Sequence, residues 1–459
     1  MKLVLAVLSL GATFFPAGGP SVTPAFFAAH RERLLARLPP GSIAVFHAAP
    51  ALDLVSSDPY RQDSDFWYLT GLDEPEAVAV LQPGAPKESR YQLFVRPRDF
   101  AAEQWAGWRA GVEGAVETFG AGAAFPVESF FERFATLAAP ATQLFHDSGG
   151  DAEFAEKLLA AWNATNANSA APRPAADAAP LTSALRLVKD EIEKELLRTA
   201  SSISAEAHLA AMRAAAPGRH EYELKGAMVG LSLARGAARM AYPPIVGTGR
   251  NSVILHYQRD DAELRDGEVL VNDTGCEFQM YAADVTRTLP VSGRFTPDQR
   301  KIYELVFAAQ EAGLAAIKPG VPFHAVYDAT VRVVVDGLLS LGILTGDKGG
   351  IIQSRAYQQF YPHGSSHWIG LDVHDAGTYT NPHGVARLER YSLSATPLEP
   401  GMALTVEPGI YIPEHSTVDP RWWNIGVRIE DTVLVTAQGY ECLSCGAPRS
   451  AADVERAME

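Results

Sequence analysis

Cysteine is scarce in this chain: Cys276, Cys442 and Cys445 are the only three among 459 residues. So low and odd a count builds no disulfide framework. Cys442 and Cys445 form a lone CxxC with no second pair to complete a zinc site, so all three are expected to be ordinary thiols. Positive charge is also short, with 39 basic against 54 acidic residues and a net charge of −15. No basic face is available to neutralise phosphates, which argues against a nucleic-acid partner. No Lys/Arg run is present either, which argues against an anionic membrane. Long apolar runs are missing, with one exception from Leu3 to Phe15 behind Lys2. That run is too short to span a bilayer. It is patterned like a secretory signal but lacks a clean small-x-small cleavage site after it. The expected compartment is cytoplasmic, or secreted or periplasmic if Met1–Phe15 is a signal peptide.

What is present can build a large core: 47% of the residues are apolar, in a chain long enough for two or three domains. The expected class is α/β (α+β). Residues 1–22 read as an N-terminal extension, 23–165 as a first domain, 166–184 as a linker and 185–459 as a second domain. In the first domain Thr23 is placed to cap a helix reaching about Leu38, with Pro24 at its first position, where a missing N–H costs nothing. Strand-like runs follow at Ser42–His47, Asp65–Leu69, Ala77–Leu81 and Tyr91–Val95. Helices are expected near Val127–Ala138 and Asp151–Ala161. The Ala-, Asn- and Pro-rich stretch from Asn163 to Pro180 lacks periodicity and marks the linker. Beyond it, Asp190 and Glu193 form a capping-box pattern at the head of a long amphipathic helix. Further helices are expected over Glu221–Leu233, Thr296–Ile317 and Phe323–Leu339.

Strand-like runs between and after those helices carry the residues that point to chemistry. Asp273 and Asp284 lie eleven apart, and a hairpin turning at Phe278–Gln279 would set them directly opposite each other. Facing carboxylates repel unless a cation lies between them. Glu407 and Glu430 sit in apolar, β-rich runs, and Arg428 could pair with one of them. His363, His367 and His374 share one Gly- and Pro-broken segment, expected as loop or strand. Four carboxylates and one imidazole (Asp273, Asp284, His367, Glu407 and Glu430) suit a pair of divalent cations. Two such ions roughly 3–4 Å apart can share a hydroxide that is nucleophilic near neutral pH. His256 is a weaker candidate on its own.

Several motifs in order resemble a known family. They are Ala241-Tyr242-Pro243-Pro244-Ile245-Val246-Gly247, Leu255-His256-Tyr257, Asp273–Glu277, Ala283–Thr288, His363–Asp375, Leu398-Glu399-Pro400-Gly401-Met402 and Arg428-Ile429-Glu430-Asp431. The chain resembles the pita-bread metallopeptidases and, among them, the Xaa-Pro aminopeptidases (aminopeptidase P). Pro59–Gly71 with Glu74–Ala77 resembles that family's N-terminal domain, so residues from about 23 to 455 are covered. The resemblance implies an N-terminal mixed α/β domain of creatinase/prolidase type and a C-terminal pita-bread domain. It implies two metal ions per subunit, manganese first, with cobalt or zinc as substitutes. It assigns Asp273, Asp284, His367, Glu407 and Glu430 to the metals. His256, His363 and His374 match substrate-binding and proton-handling histidines, Arg428 an arginine behind the ligands, and Tyr411 a tyrosine on the proline side.

The implied reaction is release of the first residue from peptides with proline second, by a hydroxide bridging the ions, with Glu407 as base and acid. Proline-containing peptides are the expected partners, and a homodimer or homotetramer the expected assembly. Trp105, in Ala102–Arg109, resembles a segment that reaches a neighbouring subunit's site; an ordinary packed tryptophan is the other reading. The loop Thr378–Tyr391 departs from the family pattern, and Ser392–Pro397 lacks basic residues found in some relatives. The rival readings are a prolidase, restricted to Xaa-Pro dipeptides, and a non-catalytic binding protein on the same scaffold.

Overall fold

The computed structural model describes residues 22–51, 59–165, 173–377 and 394–459, which fall into two compact units, 22–185 and Arg186–Glu459. The possible signal segment and the loop Thr378–Tyr391 lie outside the described residues.

The first unit opens with α1 (Pro24–Leu35). Thr23 stands at its N-cap position, but its side chain makes no capping hydrogen bond. Phe26, Phe27, Leu34, Leu35 and Leu38 are all buried, as the apolar spacing requires. A mixed six-stranded sheet follows, built from β1 (Ser42–His47), β2 (Val78–Leu81), β3 (Tyr91–Val95), β4 (Ala123–Pro126), β5 (Gln143–Asp147) and β6 (Ala175–Asp177), in the order β4-β3-β2-β1-β5-β6. The expected strand Asp65–Leu69 is instead a helix, α2 (Ser64–Thr70). Asp63 caps it by accepting from the Phe66 N–H at 2.8 Å. The strand reading failed because every residue of α2 is buried, so its apolar run shows no helical period.

α3 (Phe100–Ala106) and α4 (Gly111–Glu117) follow β3. Trp105 and Trp108 are 88% and 80% exposed, so neither is a packed core residue. α5 (Phe130–Ala138) and α6 (Ala152–Ala164) carry Phe130, Phe134, Phe154, Leu158 and Trp162 into a core shared with Ile43, Val45, Val80 and Phe94 of the sheet. Part of the expected linker is structured: β6 pairs parallel with β5, and α7 (Ala179–Arg186) follows.

In the second unit α8 (Glu191–Ala214) starts from the expected capping box, with Asp190 and Glu193 satisfying each other's backbone N–H groups. α9 (Glu221–Ala234), α10 (Pro297–Ala316), α11 (His324–Ser340), α12 (Lys348–Ser354) and α13 (Ala451–Met458) complete its α-helices among the described residues. The strands form small antiparallel sheets: β7 (Arg239–Met240) with β10 (Cys276–Phe278) and β11 (Tyr281–Ala282); β8 (Ile245–Thr248) with β9 (Val269–Asp273) and β12 (Thr286–Pro290); β13 (Ala403–Val406) with β16 (Asp431–Thr436) and β17 (Gly439–Cys442); and β14 (Gly409–Ile412) with β15 (Ile425–Arg428). A bridge from Thr286 to Glu430 joins two of these groups.

Two expectations need correction here. Cys442 and Cys445 are not thiols but a disulfide. The turn after β17 brings their Cα atoms to 5.5 Å, within disulfide reach. The hairpin register is also shifted by two residues, so that Asp273 faces Thr286 rather than Asp284. Its two-residue turn sits at Gln279-Met280, both with positive φ (47° and 71°), the backbone of a type I′ turn. Near that hairpin Gly275 lies so close to the opposing chain that a Cβ would stand 1.8 Å from the Ala283 carbonyl oxygen. Gly275→Ala is expected to cost about 2 kcal/mol or more, as overpacking does. Urea unfolding monitored by circular dichroism measures it, and a loss under about 0.5 kcal/mol would contradict the packing described.

Candidate metal centre

Each candidate ligand lies at the end of a strand or beside one. Asp273 ends β9, and Asp284 occupies the irregular stretch before β12. Glu407 follows β13, and Glu430 lies between β15 and β16. His367 lies in a loop that runs beside β13, where the Thr405 N–H donates to the His367 carbonyl at 2.9 Å and the Glu407 N–H to the Ser365 carbonyl at 2.8 Å. The loop reading of the His363–His367 stretch therefore stands. The register shift separates the aspartates along the hairpin, yet their side chains still meet: the Tyr242 hydroxyl lies 2.6 Å from Asp273 Oδ1 and 2.6 Å from Asp284 Oδ1.

Ligand atoms of Asp284, His367 and Glu430 all lie within 4.8 Å of one another. His367 Nε2 is 3.4 Å from Asp284 Oδ2 and 3.6 Å from Glu407 Oε1. Its Nδ1 faces the Trp368 carbonyl at 3.0 Å. A carbonyl only accepts, so the proton resides on Nδ1 and Nε2 is turned to the carboxylates, the orientation a metal-binding imidazole takes. Asp273, Asp284, His367 and Glu430 are buried and Glu407 half-buried.

Arg428 does not pair with a glutamate, as the sequence suggested. Its guanidinium donates to Asp273 Oδ2 at 2.6 Å and to the Tyr411 hydroxyl at 2.7 Å. Glu430 instead accepts from the Thr286 hydroxyl at 2.7 Å. His363 Nδ1 lies 2.7 Å from the Gly364 carbonyl and Nε2 lies 2.9 Å from the Tyr411 hydroxyl. The same reasoning puts a proton on Nδ1, which leaves Nε2 to accept from Tyr411. The His374 ring centre stands 4.2 Å from that of His367. His256 is exposed, and close enough for its charge to act on His363. Tyr242 and Thr286 were given no role from sequence. Their only signal there was membership of the quoted motifs.

The electrostatics follow from burial and crowding. Burial, and then the neighbouring Asp284 charge, push the Glu407 carboxyl up to about 7 against the pull of His367. Burial, then Asp284 and Glu407, raise Glu430 well above the carboxylate range. Burial also raises Asp273, although Arg428 opposes it. Asp284 is held low: burial would raise it, but the His367 hydrogen bond and charge win. Burial works against His367 as well, yet Asp284 and Glu407 lift it to about 9. His363 is pushed down to about 3 by burial and then by Arg428, so it is neutral. Buried carboxylates in this excess over one arginine, sharing a pocket with an imidazole nitrogen, fit hard divalent cations.

A buried centre of this donor chemistry defines a metal-dependent hydrolase. The comparisons agree: the sequence pattern of Metallopeptidase family M24 matches residues 195–437, and that of the aminopeptidase P N-terminal domain matches residues 27–145. The chain is 38% identical to the Xaa-Pro aminopeptidase of Escherichia coli, over 94% of its own length and 97% of that protein's. It is 40% identical to the Xaa-Pro aminopeptidase of Haemophilus influenzae, over 87% and 89%. Among solved structures, Pseudomonas aeruginosa aminopeptidase PepP superposes with a TM-score of 0.89 at 40% identity, covering 96% of this chain and 98% of that one. Aminopeptidase P from E. coli with the inhibitor Pro-Leu gives 0.88 at 38%, covering 95% and 98%. The chain belongs to Metallopeptidase family M24 and carries an aminopeptidase P N-terminal domain. It is thus a peptidase that depends on divalent metal ions.

Glu407 gives the metal-free protein a distinctive pH response. A raised carboxyl means that the folded state holds its proton more tightly than the unfolded chain does. That contribution to stability is complete below about 4.5, the ordinary glutamate value, and is lost as pH rises through about 7. The melting temperature of the metal-free protein minus that of its Glu407→Gln variant is expected to fall by a few degrees from about pH 5 to about pH 8. Calorimetry across that range checks it, and a difference that rises with pH would contradict the crowding described.

Proposed function

We propose that this chain is an Xaa-Pro aminopeptidase, releasing the first residue from peptides with proline second. The observation that carries the reading is the convergence of Asp273, Asp284, His367, Glu407 and Glu430 on one buried pocket. These five would hold two divalent cations, manganese first, with cobalt or zinc as substitutes. Bound there, the cations supply a water acidified to near neutral pH and Lewis acidity toward the scissile carbonyl.

The chain's own groups account for the rest. Glu407 is placed for proton traffic by its position: it is half-buried, with Oε1 3.6 Å from His367 Nε2 and Oε2 3.7 Å from His363 Nδ1. It takes the proton of the attacking water and returns it to the leaving nitrogen. That nitrogen belongs to proline, which has no N–H and a fixed φ, so clefts that bind an N–H at this position reject it. A ring-shaped pocket is needed instead. His363, Tyr411 and Arg428 line it as a single hydrogen-bonded unit, in which Arg428 donates to Tyr411 and Tyr411 to neutral His363. Because both His363 nitrogens are engaged, the hydrogen bond to the developing oxyanion is assigned to His374, beside His367. His256, next to His363 and exposed, is placed to meet the substrate's main chain.

Relatives aligned over nearly the whole chain and named Xaa-Pro aminopeptidase favour this reading over a prolidase. A complete donor set disfavours a non-catalytic binding protein. The exposed side chains of Phe100, Trp105 and Trp108 suit assembly into a homodimer or homotetramer. No helix among the described residues is long and apolar enough to cross a membrane.

Manganese-loaded protein is expected to release the first residue from Xaa-Pro-Yaa, to leave Xaa-Ala-Yaa intact and to lose activity with a chelator. Glu407→Gln is expected to lower kcat on the order of 10³-fold. Chromatography of the products decides: cleavage of Xaa-Pro dipeptides alone would establish a prolidase, and equal cleavage of the alanine peptide would remove the proline specificity.

A further inference from the structure

Behind His374 lies a buried ion cluster with no place in the chemistry above. Arg186 ends α7 and Lys189 precedes the cap of α8. Lys189 Nζ donates to Asp375 Oδ2 at 2.9 Å, while the Arg186 guanidinium donates to Asp375 Oδ1 and, at 2.6 Å, to Asp372 Oδ2. Arg186, Lys189 and Asp375 are 4%, 2% and 3% exposed. The cations are fixed from behind: the Lys189 N–H donates to the Gly401 carbonyl at 2.9 Å, and Val188 bridges to Met402, just ahead of β13. The anions sit on a loop that the Asp375 N–H closes by donating to the Trp368 carbonyl at 2.9 Å. A Cβ at Gly370 would stand 2.2 Å from Asp375 Oδ2 and 2.9 Å from Lys189 Cε, so only glycine allows the loop to close on the cluster.

Buried ion clusters add little net stability, because desolvating the charges costs about as much as pairing them returns. What this one supplies is position. His374 is flanked by the two gripped aspartates, immediately before Asp375 and two residues after Asp372. We propose that Arg186 and Lys189, acting through Asp375 and Asp372, are positioning residues that hold the His374 ring in register with the reacting carbonyl. The inference rests on the role given to His374 above. It adds that this role is set from outside the pocket, by the segment joining α7 to α8.

The test is a double-mutant cycle with manganese-loaded protein and an Xaa-Pro-Yaa peptide. Lys189→Met is expected to lower kcat about 100-fold, the usual cost of misplacing a reacting group by about 1 Å, with KM changed less than about threefold. Lys189→Arg should restore most of the loss. In a His374→Ala background the same Lys189→Met should cost less than about twofold, because a group that acts only through His374 has nothing left to place. Manganese content, measured by plasma mass spectrometry, should be the same in all variants. If Lys189→Met does not fold, Asp372→Asn replaces it, since that side chain is partly exposed and its removal leaves the Asp375 pairs intact. It should show a smaller kcat loss with the same dependence on His374. A folded variant with unchanged kcat, or a full loss added on top of an already crippled His374→Ala, would overturn the clamp alone. Full turnover by His374→Ala would overturn the role of His374 and the clamp with it. Failure of the unmodified protein to release the first residue would overturn the function itself.

Discussion

Mutual repulsion of carboxylates is the constraint on which the rest of this structure depends. Two unit charges 4 Å apart repel by about 4 kcal/mol at an effective dielectric of about 20. Asp273, Asp284, Glu407 and Glu430 share one pocket. The fold supplies partial compensation: Arg428 on Asp273, a protonated His367 between Asp284 and Glu407, the Tyr242 hydroxyl between the two aspartates and the Thr286 hydroxyl on Glu430. What remains is met by protons in the absence of cations: the Glu407 carboxyl is pushed up to about 7 and that of Glu430 well above the carboxylate range. A site left in that condition binds cations strongly, and part of the stability lost in assembling it returns when they bind.

Such a pocket must not relax, because outward movement of the ligands would relieve the repulsion. Arg287 opposes that movement. It is wholly buried and paired with the equally buried Asp431, and it donates to the backbone carbonyls of Thr286 and Glu430. Asp431 in turn accepts from Ser444 and from Gln310 of α10. The strand ends that carry Asp284 and Glu430 are thereby tied to a helix and to the disulfide-closed turn after β17. Removing one partner of a buried pair leaves an uncompensated charge and costs roughly 3–5 kcal/mol, so this tie resists strain from the site.

The second organised feature is the line from Arg428 through Tyr411 to His363. Each member directs the next one's hydrogen: the guanidinium donates to the phenol, the phenol to the imidazole, and the imidazole to the Gly364 carbonyl. The consequence is a neutral His363 with both ring nitrogens engaged. The Asp375 cluster plays a comparable part for His374. In both places a buried charge sets the direction of an imidazole.

Much of this was legible in the residues themselves. The capping box at Asp190 and Glu193, the helix starting at Pro24 and the five cation-binding candidates follow from local chemistry, because caps and donor types are fixed by residue identity. The helix at Ser64–Thr70 was not legible, since burial on all sides erases the period that separates helix from strand. Neither was the Cys442–Cys445 bond, which depends on how the chain turns after β17. The partners of Arg428, the meeting of the aspartates at Tyr242 and the grip of Arg186 and Lys189 on Asp375 join residues 17 to 189 positions apart. The sequence by itself determined which atoms could bind cations and carry protons. Only the tertiary structure decided which of them face one another, because that depends on strand register and on close approaches such as Gly275 against Ala283 that no local pattern encodes.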